Sequence, residues 1–241
     1  LPDVIKSFEL QIKQLAIQKG DHVLDVGCGI GTQAMEFAKL VGTEGRVTGT
    51  DLSAVMVDIS RSRAAMSSLP VEFLVADAMH QPFADHSFDC IRSERVLMYI
   101  KDTPAVLGEF KRLLKTNGRL VIFDFDWDSI VIPHRDKSLT RKIVRYASDS
   151  FPRGRVGGEL FHQFRNSGFR EVTAQGVNYT GGTDATLVIT KRIYEGILQT
   201  GVAEQVFTED EIKKWWEIIE RDKLEGNFII SFPGFIVSGI A

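Results

Sequence analysis

Only two of the 241 residues are cysteine, Cys28 and Cys90. A disulfide framework is therefore excluded, and a reducing compartment, the cytoplasm, fits. No apolar run reaches the ~18–20 residues that a bilayer-spanning helix needs, and no signal-peptide pattern is present. Clustered basic charge is missing too. Lys and Arg number 29 against 32 Asp and Glu, for a formal net charge of -3. A nucleic-acid enzyme shows a basic face, so RNA and DNA are disfavoured as partners. No G-x-x-x-x-G-K-[S/T] phosphate loop occurs, nor any internal repeat, low-complexity segment or flexible linker. What remains is a chain with 44% hydrophobic residues, long enough for one large α/β domain with a substantial core. It opens on Leu1 rather than methionine, which implies residues upstream.

The densest signal is Val23-Leu24-Asp25-Val26-Gly27-Cys28-Gly29-Ile30-Gly31. An apolar strand ends in three alternating glycines, and a helical pattern, Thr32 to Leu40, follows at once. A glycine turn between strand and helix lets backbone approach a ligand where a Cβ would clash. A second short strand, Arg46 to Thr50, delivers Asp51, twenty residues after Gly31. An acidic residue at that spacing holds a nucleoside ribose. The spacing is G-x-G-x-G, with Thr32 where a dinucleotide fingerprint has its third glycine, which argues against a nicotinamide cofactor.

A strand ending in Asp followed by G-x-G-x-G resembles motif I of the class I methyltransferases, which bind S-adenosylmethionine (SAM). The resemblance implies that Asp25 faces the methionyl ammonium side and that Gly27, Cys28, Gly29 and Gly31 lie against the cofactor. It puts Asp51 and Leu52 at the nucleoside. Asp77 would bond the adenine amino group while its neighbour Ala78 packs on the ring, after a third strand, Val71 to Val75. Pro82-Phe83-Ala84-Asp85-His86-Ser87-Phe88-Asp89 is similar to the family's PF-x-D-x-SFD segment. Strand four, Cys90 to Ser93, follows, with Ser93 also in the cofactor set. Glu94-Arg95-Val96-Leu97-Met98-Tyr99 resembles the family's ERVL-x-H, with Tyr99 in place of histidine. The match covers roughly residues 1 to 125. It is nearest to the methyltransferases of ubiquinone and menaquinone biosynthesis and their small-molecule relatives. The chain also lacks the Asn/Asp-Pro-Pro-aromatic tetrapeptide of DNA-base and glutamine amino-methyltransferases. An arsenite methyltransferase would need several pocket thiols, and both cysteines fall in core motifs.

The implied fold is a Rossmann-like α/β domain. It has a seven-stranded, mostly parallel sheet with strand seven antiparallel, helices on both faces, and a helical cap. Asp102-Thr103-Pro104 starts a helix, and Asn117-Gly118 is expected to end it before strand five, Arg119 to Asp124. Strand six is expected over Phe169 to Ala174. Strand seven is expected from Phe228 to Ser238, with a bulge at Pro233-Gly234. Helices are expected over about 136–150, 184–200 and 208–224, the last opened by a capping box at Thr208. Residues 1–241 form one domain on this reading, with cap insertions at about 127–165 and 177–226.

Methyl transfer from a sulfonium is an in-line displacement with a neutral leaving group, so positioning and exclusion of water supply much of the rate. A phenol or carbon acceptor gains from a base. The candidates are His134, Glu94 and Tyr99, with Arg95, Trp127 and Trp215 lining the substrate pocket. Each has a bland alternative. His134 fits a surface loop, Glu94 and Arg95 fit an internal salt bridge, and Tyr99 fits plain packing. His162 fits a core position. The carboxylates of Asp124, Asp126 and Asp128 suit either a cationic acceptor or solvated turns. Of Trp215 and Trp216, at most one can face a pocket squarely. The function implied is SAM-dependent methylation of a small apolar or aromatic metabolite, with S-adenosylhomocysteine as product. No metal is assigned, and the O-, N- or C-acceptor stays open. A homodimer is compatible with it. The alternatives are a SAM-binding cyclase or isomerase, a nicotinamide-dependent oxidoreductase, and a non-catalytic partner subunit.

Overall fold

In the computed structural model, which describes residues 2–241, seven strands form one sheet. A first helix, α1 (Pro2–Leu15), leads into β1 (His22–Val26), α2 (Thr32–Val41), β2 (Arg46–Asp51), α3 (Ala54–Ala64) and β3 (Val71–Val75). Then come β4 (Phe88–Glu94), a 3₁₀ turn at Leu97–Tyr99, α4 (Thr103–Leu113) and β5 (Leu114–Phe125). A second 3₁₀ turn (Trp127–Ser129) precedes α5 (Lys137–Asp149), α6 (Val156–Asn166) and β6 (Arg170–Gly181). Two longer helices, α7 (Asp184–Ala203) and α8 (Glu209–Leu224), separate β6 from β7 (Ile230–Ile240). The spatial order is β3-β2-β1-β4-β5-β7-β6. Only β7 runs antiparallel to its neighbours, as the sequence pattern implied.

This topology places the site. Chain order runs outward from β1 in one direction through β2 and β3, then jumps to the other side of β1 for β4. The crevice at such a switch point, outside the strand C-termini, is where open α/β sheets bind ligands. The register pairs Val26 with Ser93. The glycine turn after β1 and the Glu94-Arg95 segment after β4 therefore leave the sheet side by side.

The central strands are apolar because helices cover them. Val23, Leu24 and Val26 of β1 and Leu120 to Phe123 of β5 are buried, as parallel strands require. On α2, Ala34, Phe37, Ala38 and Val41 make the buried stripe, a 3.6-residue periodicity. The α8 capping box forms as read, with Thr208 and Glu211 satisfying each other's backbone amides. A separate helical layer packs α5 against α7 and α8 around buried Tyr194 and Trp215. Among the described residues, no helix is long and apolar enough to cross a membrane.

Several boundaries differ from the sequence reading, among them β7, which runs Ile230–Ile240 rather than Phe228 to Ser238. Helix α4 ends at Leu113 rather than at Asn117-Gly118, because Leu114 turns extended to pair with Phe88. Asn117 is left-handed (φ 63), but as a kink within β5. Strand β6 runs on past Ala174 to Gly181, since β7 offers partners as far as Ile230. Pro233-Gly234 is not a bulge: the register passes through it unbroken. Backbone N and C=O of one strand residue point the same way, and the Pro233 carbonyl accepts from Asp126 N, one residue past the end of β5. The Asp126 carbonyl, left without a proline donor, takes Ser129 N instead.

The helix-to-sheet packing is directly testable. Phe37 has no exposed surface, so Phe37→Ala should cost about 3–5 kcal/mol. A shift of the urea midpoint with unchanged slope would show it.

Candidate functional site

The glycine turn is held from behind. Gly27 N and Cys28 N both donate to the Thr50 carbonyl of β2, at 2.7 and 2.9 Å. Gly27, Gly29 and Gly31 all have positive φ, but space distinguishes them. A Cβ on Gly27 would lie 2.1 Å from Val96 Cγ2, and one on Gly31 would lie 2.5 Å from Phe73 Cζ. One on Gly29 would meet nothing within 4 Å. The outer two glycines thus let the turn pack down, and the middle one presents bare backbone to open space.

Asp51 clamps this turn. Its Oδ2 accepts from Gly29 N at 2.8 Å and its Oδ1 from Ser53 N at 2.9 Å. Each carboxylate oxygen keeps a lone pair for another donor. Leu52 beside it is 73% exposed, which leaves an apolar face free at the cleft. Asp77 Oδ1 accepts from Met79 N at 2.9 Å, and Ala78 is buried. These groups fit a nucleoside: an acidic hydroxyl-binder, an apolar platform and a bare backbone approach.

Beneath the turn lies a buried charge cluster. Arg92 of β4 donates from Nη1 to Asp25 Oδ1 and from Nε to Gln11 Oε1, both at 2.9 Å. Its Nη2 pairs with Glu94, whose Oε2 also accepts from Gln11 Nε2 at 3.0 Å. Two carboxylates share one guanidinium, and their environments push them apart. Burial pushes the Asp25 carboxyl up and outweighs Arg92. Burial acts on Glu94 as well, but Arg92 and Arg95 overcome it and hold Glu94 below the usual range. Burial drives the Cys28 thiol far above its ordinary value, reinforced by Asp25, so it is a neutral packing group.

A cavity of ≈ 630 Å³ opens beside the turn. Gly27, Glu94, Arg95, Met98 and Tyr99 form its wall nearest the turn. Phe125, Trp127, Phe151, Tyr179 and Phe232 give it an aromatic lining, and Ile189, Ile193 and Ile197 of α7 close it at a spacing of four. Asp3 and Val4 of α1 complete the rim, where Asp3 Oδ2 accepts from Thr180 N at 2.9 Å.

The structure therefore brings Glu94, Arg95, Tyr99 and Trp127 together and removes two other candidates. His134 lies in a separate groove with Lys137, Arg141 and Arg145, its ring 5.7 Å from that of Trp215. Trp215 is fully buried and donates from Nε1 to Thr140 Oγ1 at 2.9 Å. The apolar side of α8 is spent on α5 and α7, so neither residue reaches the cavity. Trp216 lines grooves between α7 and α8 instead. Asp25 has no exposed surface, with its Oδ1 on Arg92 and its Oδ2 without a partner, so it sits behind the glycine turn rather than in the cavity wall. Ser93 is equally buried. The acidic run is not a cation site. Asp126 caps the Trp127–Ser129 turn, Asp128 pairs with Arg155, and Asp124 is sealed.

Asp124 has a different task. Its Oδ2 accepts from Leu97 N at 2.9 Å, while Oδ1 is buried without a partner. It anchors the turn that carries Val96, Met98 and Tyr99. Sequence reasoning missed this anchor, the whole contribution of α1, and the wall residues Phe151, Tyr179 and Phe232. The apolar spacing of α1 and the alternation Val177-Tyr179 were the available signals.

A family profile described as a methyltransferase domain matches residues 17–176. Over 200 residues, the chain is 31% identical to a 2-phytyl-1,4-naphtoquinone methyltransferase of Nostoc sp., covering 76% of this chain and 86% of that one. The chain belongs to the class I SAM-dependent methyltransferases. This methyltransferase is also 36% identical over 170 residues to an uncharacterized 37.1 kDa protein in transposon TN4556 of Streptomyces fradiae. That match takes in 69% of the chain and about half, 49%, of the relative. Its fold is similar to the YcgJ protein of Bacillus subtilis, with a TM-score of 0.68 at 20% identity over 98% and 97% of the two chains.

Two predictions follow from this geometry. Gly29→Ala, strained only by its positive φ, should lose about 1–2 kcal/mol of stability and bind SAM more weakly, whereas Gly27→Ala, strained in the same way and also driven into Val96, should lose about 2 kcal/mol more. Parallel melting curves and SAM titrations separate the two. Burial pushes the Asp124 carboxyl up to about 7. The folded state thus binds its proton more tightly than the unfolded chain. This contribution is present in acid and is lost as pH rises from about 4 to about 7, by up to roughly 4 kcal/mol. Asp124→Asn should flatten that part of the stability–pH profile in urea titrations.

Proposed function

We propose that this methyltransferase acts on a small, planar, largely apolar acceptor seated in the aromatic cavity, of the naphthoquinone kind that its relative's name contains. The observation that carries this reading is that Gly27 belongs both to the glycine turn and to the cavity wall. The methyl-donor end of the cofactor site and the acceptor site then share one boundary.

For the cofactor, the backbone of Gly27, Cys28, Gly29 and Gly31 would lie along its amino-acid end. Asp51 would hold the ribose, and Leu52, Asp77 and Ala78 the adenine. Asp25 acts from below, by tying β1 to β4 through Arg92. Bound SAM supplies an electrophilic methyl group on a sulfonium whose departure needs no acid. The chain's own contribution is placement and exclusion of water. Aromatic rings hold a flat acceptor, and α7 and α1 serve as a cap over it, with α8 packed on α7 outside the cavity. No histidine lines the cavity among the described residues. Glu94, ionised and twice bonded, is a poor base. Burial, with help from Asp124, pushes the Tyr99 hydroxyl up, which makes Tyr99 a hydrogen-bond donor at neutral pH. Both cysteines are buried free thiols, which supports a reducing compartment such as the cytoplasm.

Calorimetric titration should give micromolar binding of SAM and S-adenosylhomocysteine and none of NAD. Asp51→Ala should weaken SAM by about 10- to 100-fold, the worth of a charge-assisted hydrogen bond. Incubation with SAM and a naphthoquinol panel should accumulate S-adenosylhomocysteine together with a methylated product. Turnover without S-adenosylhomocysteine would instead mark a cyclase or isomerase.

A further inference from the structure

We propose that Arg95 is the acceptor-recognition residue and that the acceptor enters as an oxyanion, an ionised ring hydroxyl paired with the Arg95 guanidinium. This rests on the reading of the aromatic cavity as the acceptor site.

Backbone geometry is the first support. Arg95 sits at φ 57, in the left-handed region that long side chains avoid. Its own N donates to the Phe123 carbonyl at 2.8 Å, and the next residues are pinned, Val96 under Gly27 and Leu97 on Asp124. The tight turn from β4 imposes this conformation and points the side chain at the cavity. Strain of this kind collects where a side chain must be aimed.

Charge is the second. Arg95 is the one basic residue in the cavity wall among the described residues. Its side chain is 54% exposed, and its contact is from Nε to Glu94 Oε1 at 3.4 Å. Glu94 spends its Oε2 on Arg92 and Gln11, which leaves Arg95 a single contact, through Nε, with Oε1. The other carboxylate on the rim, Asp3, is turned to Thr180 N. The forked Nη1 and Nη2 of Arg95 donate to nothing among the described residues, and that fork matches an oxyanion. The aromatic walls around it lower the local dielectric and strengthen such a pair. An acceptor that arrives ionised brings its own electron pair, which accounts for a wall without an imidazole.

The test uses two matched probes on the whole protein saturated with S-adenosylhomocysteine: 2-hydroxy-1,4-naphthoquinone, an anion at pH 8, and neutral 2-methoxy-1,4-naphthoquinone. Calorimetry should show the anion binding at least about tenfold tighter. Arg95→Gln should erase that preference and leave the neutral probe within about twofold, while Arg95→Lys should restore part of it. Equal binding of both probes by the parent, no binding of the anion, or equal loss of both in Arg95→Gln would overturn the proposal. Failure of S-adenosylhomocysteine itself to bind, measured first, would instead sink the underlying cofactor site.

Discussion

The site depends on a single buried cation. Arg92 has almost no contact with water, and it reaches three elements at once: Asp25 on β1, Glu94 at the end of β4 and Gln11 on α1. Burying a guanidinium is costly unless each donor finds an acceptor, so these elements cannot shift independently. The strand that opens into the glycine turn, the strand that opens into the acceptor cavity and the helix across the rim share one electrostatic knot. Gly27 and Val96 interlock just above it, so the turn and the cavity wall inherit its rigidity. Substrate-binding surfaces are precise when the groups below them are locked.

The cofactor half was legible in the sequence because its signals are local. Strand, alternating glycines, helix and the distant Asp51 are set by short-range geometry, and the topology that joins them follows from parallel crossovers. The acceptor half was not legible for the opposite reason. Its walls come from α1, the ends of β4 and β5, β6, α7 and β7, and none of these announces its partners. Trp215 was misplaced because helix periodicity identifies an apolar side but not what covers it; α5 and α7 cover it. His134 followed the same path, since its loop turns toward Trp215 rather than back over the sheet. Asp124 illustrates a further limit. An acidic residue in an acidic, aromatic run looks solvated, yet its place at the end of a central strand buries it against the amides of the next turn.

The cavity couples two demands that pull against each other. Its aromatic lining favours flat apolar molecules, while Glu94, Arg95, Asp3 and Tyr99 leave charge and polarity on one wall. Such a site discriminates by orientation as much as by affinity, because an acceptor can satisfy both surfaces in few poses. The fold alone does not choose the acceptor; on the reading proposed above, that choice falls to the polar wall.

The rim is closed by a contact between Asp3 and Thr180, 177 residues apart in the chain. Such a closure pays its loop entropy before it gains its bond. Helix α1 is tied down at two distant points, through Gln11 to Arg92 on β4 and through Asp3 to Thr180 on β6. Its place on the rim therefore requires both strands to be in position. The completeness of the acceptor site reports on whether the whole sheet, from its centre to its far edge at β6, has formed.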